Sequence, residues 1–487
     1  MKKLYMLCFL FLVFGFQSHA QIFEVSYPSD LLKKPFSGEI LLYLSKENKS
    51  PKDIFVGLEL TPVYRLSVSN LKANENAIFN DKAISYPVEL SNIERGAYYV
   101  QAVFDLNLGD SNIGSSSGNI YSTPIRVNLT KNFDTVFKIK ADKVIPTVPF
   151  KNTEFLKELS VKSELLSAFH NKDIFVNAAV SLPKGYYENS NKTYPVIFST
   201  FGFGGNYKIH SGHDTYLQQL GDQPTIVVYL DGKCSEGHST YANSDVNGPW
   251  GDALTTEFIP ALHKKYRTSN ANFLFGHSSG GWTSLWLQIN YPKVFSGAWS
   301  SAPDQVDFRN YQNKDIYTAE NMFYDKNGNL LADVTIAGRI PIISAKDFYG
   351  TENVVYRGSQ MRSFDAVFGG YDADGNRIRL VNMPSGAINK DALSLWERYD
   401  LSIILSENWG TLKDDLNDKI RISVGTSDNF YLNHSVKLLE EEMNTLDANI
   451  AFEYYPGDHF TLFTDEYRAD GVAFLEQCYK NWLIKNK

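Results

Sequence analysis

The ten residues Phe273-Leu274-Phe275-Gly276-His277-Ser278-Ser279-Gly280-Gly281-Trp282 constrain this chain more than any other stretch. An apolar run enters the pattern G-x-S-x-G and a helical period leaves it. Trp282, Leu285, Trp286 and Ile289 fall at i, i+3, i+4 and i+7, and Pro292 ends the run. A strand must therefore turn sharply into a helix with Ser278 at the tip. Glycine two residues before and two after fits such a turn, because its backbone segments pass close to one another. A serine so placed presents its hydroxyl beside a helix N-terminus, where N–H groups are unpaired and negative charge is favoured. The stretch predicts a nucleophile carried by a layered fold of strands and helices.

The flanking sequence supplies that fold. Strand-like runs at Ile174–Leu182, Tyr194–Phe201 and Thr225–Leu230 precede a helical stretch over Asp252–Tyr266. Another strand-like run, Val294–Ser300, follows the serine. Ile420–Val424 and Ile450–Tyr455 read as the last strands, with helices marked by Val436, Leu439 and Met443 and by Val472, Leu475, Tyr479 and Trp482. Strands alternating with helices predict an α/β fold, a mostly parallel sheet with helices on both faces. Residues 304–400 interrupt the alternation and read as an insertion capping the site. The insertion holds Asp325-Lys326-Asn327-Gly328-Asn329 and Asp372-Ala373-Asp374-Gly375-Asn376. Neither fits a twelve-residue calcium loop, and hairpin turns are the better reading.

The N-terminal part differs. Lys2 and Lys3, the apolar run Leu4–Phe16 and Ser18-His19-Ala20 have the form of a cleavable secretory leader over residues 1–20. Cys8 lies too early to be a lipid-attachment site, so a secreted or periplasmic protein is expected. Residues 21–143 read as an all-β, sandwich-like domain of short strands between Asn, Gly, Ser and Pro clusters. Phe55–Leu60 is one such strand. Ala97–Asn107 is another, with Tyr98, Val100, Ala102, Phe104 and Leu106 on one face and Tyr99, Gln101 and Asp105 on the other. The proline-bearing stretch 144–152 is the expected linker, and 153–487 the catalytic domain. The net charge of −8 argues against nucleic acid as a partner. No stretch after the leader is apolar for long enough to span a membrane. Cys234 and Cys478 remain after cleavage, and spacing leaves their pairing open. No metal-binding motif is present, and no cofactor is expected.

A serine hydroxyl needs a base to take its proton, and the base needs an acid to hold its tautomer. In strand–helix hydrolases these follow in the order Ser, acid, His at the carboxyl ends of strands. His459 follows the last predicted strand and Asp428 the one before it. His210, His213 and His238 lie in other loops, and His277 is expected to point away from the site. Asp304, after the strand beyond the elbow, is the rival acid. The oxyanion of a tetrahedral intermediate needs two N–H donors. Ser279, directly after the nucleophile, supplies one, and the turn Gly202-Phe203-Gly204-Gly205 the other.

Tyr194-Pro195-Val196-Ile197 leading to that turn, Asn247-Gly248-Pro249-Trp250-Gly251, the elbow, and Gly457-Asp458-His459-Phe460 together resemble the esterase D-like group of α/β-hydrolases. That group includes feruloyl and acetylxylan esterases, S-formylglutathione hydrolases and siderophore esterases. A leader, a β-domain and an esterase in one chain are similar to secreted bacterial esterases. The resemblance implies a serine esterase with Ser278, Asp428 and His459 as triad and the Phe203 N–H as second oxyanion donor. It departs from many members at Phe201, where they have His, and in the long insertion. The expected substrates are short or aromatic acyl esters of carbohydrates, with Gly204, His238, Trp250, Trp282 and Tyr431 facing the ligand. Trp396 and Tyr399 are expected to narrow the cleft. The alternatives are a siderophore-ester hydrolase, a serine peptidase of related fold and a non-catalytic binding protein.

Overall fold

The computed structural model describes residues 21–54, 56, 58–130, 135–214 and 220–486. The expected leader therefore lies outside the described residues. So does part of the strand expected at 55–60, whose described residues form turns and a bend instead. The chain divides into two compact units. Of the described residues, one takes those in 21–52, 61–104 and 120–143; the other takes those in 53–60, 105–119 and 144–486.

Among the described residues of the first unit nine strands form one hydrogen-bonded sheet, eight in a single order and the ninth, Ile125–Leu129, paired with Gly96–Phe104 off that path. The sandwich-like reading implied two separate layers. They are linked because the short strand Ile120–Ser122 stands between the long strands Gly96–Phe104 and Val136–Val144. Gly96–Phe104 runs antiparallel to Phe36–Ser45, with Ile40 opposite Phe104 and Leu42 opposite Ala102. Tyr98, Val100, Ala102 and Phe104 are buried as their alternation predicts. Gln101 was expected on the solvent face but is buried too. Its amide is satisfied inside: the oxygen accepts from Ser50 Oγ at 2.9 Å and Lys52 N at 3.1 Å, and Nε2 donates to the Ser122 carbonyl at 2.8 Å. A fully bonded amide tolerates burial that an unpaired one would not.

The second unit is built on an eight-stranded sheet. In chain order the strands are β1 (Leu156–Ser163), β2 (Ile174–Ser181), β3 (Tyr194–Thr200), β4 (Ile226–Leu230), β5 (Thr268–His277), β6 (Ala298–Ser301), β7 (Ile420–Gly425) and β8 (Ala451–Tyr455). Their order across the sheet is β1-β2-β4-β3-β5-β6-β7-β8. Only β2 is antiparallel to both neighbours; β4 through β8 run parallel. Every residue of β3, β4 and β7 is buried, as expected of central strands covered on both faces.

Helix α1 (Ser279–Asn290) follows β5 directly and stops before Pro292. Its predicted apolar stripe understates its burial, because every residue from Ser279 to Ile289 is buried. The reason lies in the insertion, which adds helices α2 (Ala345–Val355) and α3 (Gln360–Phe368). Phe368 of α3 packs on Trp282 with ring centroids 5.2 Å apart, and Trp286 stacks on Tyr399 at 5.3 Å. Trp396 joins through Phe368 at 5.0 Å. The insertion thus encloses the outer side of α1 in an aromatic core, and Trp396 and Tyr399 are core residues rather than walls of a cleft. Its two Asp/Asn/Gly clusters are tight hairpin turns, in which Asp325 and Asp372 each accept the amide four residues on. Helices α4 (Leu401–Leu416), α5 (Leu432–Thr445) and α6 (Asp465–Lys485) follow the insertion in the chain. Cys234 and Cys478 are buried and unpaired. No helix among the described residues is long and apolar enough to cross a membrane.

Candidate active site

Ser278 stands between β5 and α1 with φ 60° and ψ −125°. A left-handed φ at a non-glycine residue is strained and persists only where its surroundings impose it. Here close packing does so. A Cβ on Gly276 would lie 2.0 Å from the Gly280 carbonyl oxygen, and one on Gly280 would lie 2.3 Å from that of Thr200. The glycines of the motif are thus demanded by contact between β5, α1 and the end of β3. Gly202 abuts the serine from the other side, its would-be Cβ 3.2 Å from Ser278 Cβ. Gly205 N donates to the Gly202 carbonyl at 3.1 Å and closes the turn that carries Phe203. Phe201 packs on Tyr229 and leaves no room for a side chain at Gly205.

Two carboxyl groups approach from neighbouring strand ends. Asp428 leaves β7 and is fully buried. Its Oδ1 accepts from Phe430 N at 2.8 Å, which fixes the side chain to its own turn. Its Oδ2 is 2.8 Å from His459 Nδ1. His459 leaves β8 and is 3% exposed. A carboxylate on Nδ1 holds the proton there and leaves Nε2 as the acceptor. Asp304, the rival acid, meets the serines instead: Ser278 Oγ donates to its Oδ1 at 3.3 Å and Ser279 Oγ to its Oδ2 at 2.5 Å. Burial raises its pKa, partly offset by the Ser279 hydroxyl.

Two neighbours of His459 were not read from the sequence as parts of the site. Asn429 Oδ1 accepts from the His459 backbone N–H at 3.1 Å, while Asn429 Nδ2 donates to the Thr335 carbonyl at 2.8 Å. Its place directly after Asp428 is the one signal that marks it. His277 does not point away from the site. Its ring lies 4.5 Å from that of His459, and Nδ1 is 2.9 Å from Ser301 Oγ. Burial and the adjacent imidazole hold its pKa down to about 3, so it stays neutral near pH 7.

The remaining candidates scatter. Ser279 is the first residue of α1, so its N–H has no helical partner. Gly204 is exposed at the tip of its turn with φ 82°. Tyr431 is half-buried at the start of α5, three residues beyond Asp428. Trp282 is 1% exposed and stacks on Trp286 in the aromatic core. Trp250 is buried against Tyr241. His238 is buried as well. Its Nδ1 accepts from Thr240 N at 2.9 Å, and its ring fills the space beside Gly232. His238 and Trp282 are therefore occupied by packing contacts, since their size and apolar surface suit the interior as well as a ligand.

This strand order, with a left-handed serine at the elbow after β5 and an Asp–His pair after β7 and β8, defines an α/β-hydrolase fold. Residues 171–460, more than half of the chain, match the family model described as "Putative esterase". The chain belongs to that esterase family and is an ester hydrolase by family. Among solved structures it is similar to a ferulic acid esterase, with 14% identity and a TM-score of 0.38 over 68% of this chain and 97% of the other. The Staphylococcus aureus fluorophosphonate-binding serine hydrolase FphF gives 14% and 0.39, over 66% and 97%. An S-formylglutathione hydrolase from Agrobacterium tumefaciens gives 15% and 0.35, over 68% and 96%. No curated protein matches the sequence.

Proposed function

We propose that this protein is a serine esterase that works through an acyl-enzyme on Ser278. The observation that carries the proposal is the 2.8 Å bond between Asp428 and His459 Nδ1 beside a serine on a left-handed elbow. In the reaction the Ser278 hydroxyl turns from Asp304 to His459 Nε2 and attacks the ester carbonyl carbon as His459 takes its proton. Asp428 holds the tautomer and stabilises the imidazolium. The N–H groups of Ser279 and Phe203 receive the oxyanion. His459 then gives its proton to the departing alcohol. Water, deprotonated by the same imidazole, attacks the acyl-enzyme and releases the acid with Ser278 restored. Short or aromatic acyl esters of carbohydrates are the proposed substrates of a secreted or periplasmic protein, with residues 1–20 as the leader and 21–143 as an accessory β-domain.

A fluorophosphonate probe tests the nucleophile. The adduct is expected on Ser278 by peptide mass. Ser278→Ala should abolish labelling and lower kcat on an aryl acetate by on the order of a million-fold, as triad loss does in a serine protease. Labelling of another serine, or activity within tenfold of the parent, rejects the assignment. A parallel panel of esters and amides should show ester preference; selective amide cleavage would move the protein to the peptidases.

A further inference from the structure

The second unit contains a cavity of about 800 Å³, lined by residues of that unit alone. Its volume lies in the range of small-molecule sites. Asp231, on its wall, directly follows β4, and Asn206 follows the oxyanion turn by one residue. The cavity therefore opens at the carboxyl edge of the sheet, the edge that carries Ser278. From β4 to β5 is two strand spacings, about 10 Å, roughly the reach of two linked sugar rings.

The lining has a consistent chemistry. Lys172, Lys208 and Lys233 face Asp110, Asp173 and Asp231, so the two signs balance. Lys233 and Asp110 already pair at 3.1 Å, and Asp173 pairs with Lys162 at 2.9 Å. A net-neutral wall gives a phosphate or free acid no field to follow. It offers directional polar groups instead, among them the side-chain amides of Asn177 and Asn206, whose oxygens already accept from Ser160 Oγ and Lys208 N. Phe175 also lines it and is 45% exposed. An open aromatic face beside polar groups suits the apolar face of a sugar ring. Burial pushes the Asp231 carboxyl up to about 6, and hydroxyl donors would stabilise its ionised form.

The rim is held firmly. The segment 105–119, which contributes Asn107 and Asp110, is fastened to the insertion by Arg357. The guanidinium donates to Asp105 through Nη2 at 2.6 Å and Nε at 2.7 Å, and to the Asn107 carbonyl at 2.9 Å. A buried bidentate pair of this kind fixes geometry as well as charge.

We infer that this cavity binds a neutral oligosaccharide and serves as the subsite for the alcohol half of the ester. Only the second half of that statement rests on the esterase reading.

Binding is measured by calorimetry on the full chain carrying Ser278→Ala and on the unmodified protein, with xylotriose, cellotriose and inorganic phosphate as probes. Saturable binding of either trisaccharide is expected, equal in the two proteins. Phe175→Ala should weaken it at least tenfold with an unchanged melting temperature. Tyr371→Ala, an exposed aromatic residue outside the cavity, should leave it unchanged. Absence of trisaccharide binding, binding indifferent to Phe175→Ala, or preference for phosphate overturns the inference. None of these results depends on catalysis, so failure of the esterase reading shows separately in the fluorophosphonate experiment.

Discussion

Asp304 and Asp428 are both buried carboxyl groups at the site, and their partners separate their roles. Asp428 holds an imidazole, whereas Asp304 holds two hydroxyls. Asp428→Asn should cost kcat on the order of 10⁴-fold, because an amide no longer enforces the tautomer. Asp304→Asn should cost less than tenfold, since an amide oxygen can still accept from a hydroxyl. Steady-state rates on one aryl ester decide it, and the reverse ranking would make Asp304 the acid. His238 gives a pH prediction. Burial, with Lys233 nearby, holds its pKa down to about 4, below the unfolded value of about 6.5. The unfolded chain then binds the proton first, so stability is full above pH 6.5 and is lost as pH falls toward 4. Between pH 7 and pH 5 the loss from this group is about 2 kcal/mol. Denaturant titrations should show that His238→Gln removes most of this step. An equal pH slope in both proteins would show that His238 does not stay neutral in the fold.

At the scale of elements, the site depends on how the insertion is pinned to the acid loop. The hairpin of Ala332–Ile336 and Ile340–Ser344 reaches that loop through Thr335, whose N–H donates to the Asn429 carbonyl at 2.9 Å. Asn429 returns the contact through Nδ2 and holds the His459 backbone with Oδ1. It is a positioning residue, one remove from the chemistry. Asn429→Ala should lower kcat by about 10- to 100-fold with little change in KM, the effect of misplacing a base by a fraction of an ångström. Asn429→Asp, which keeps an acceptor for the His459 N–H, should recover part of the loss. A kcat within twofold of the parent in the alanine variant would remove Asn429 from the site.

At the scale of the molecule, the proposed triad lies wholly beyond residue 143, which makes the N-terminal part look dispensable. The division into units says otherwise for residues 105–119, which group with the esterase unit. Asp105 is fully buried and meets Arg357, itself 5% exposed, through both oxygens. Removing one member of a buried pair typically costs about 3–5 kcal/mol, because the other charge is left unpaired. Asp105→Ala should lower unfolding stability by that order in a denaturant titration. A change below about 1 kcal/mol would mean that water replaces the pair. Removal of residues 21–142 should be at least as damaging, because it deletes Asp105 together with the rest of the segment.

Much of this was legible along the chain because it depends on neighbours in sequence. G-x-S-x-G between an apolar run and a helical period specifies a strand, a sharp turn and a helix, since the sterics involved are local. Asp428 and His459 could be picked out because each closes a strand-like run, and a parallel sheet brings strand ends to one edge. What lay beyond reach depends on packing between distant segments. Asp304 and Asp428 each follow a strand of the same sheet, and only the tertiary structure decides which one meets the imidazole. Trp282, Trp396 and Tyr399 have the composition of a ligand-facing wall, but the insertion folds onto α1 and buries them together. Asp105 belongs by sequence to a β-rich stretch and by contact to the other unit, because the guanidinium that neutralises it is 252 residues away. Periodicity reports which face of an element is apolar; it carries no information about which distant surface arrives to cover it.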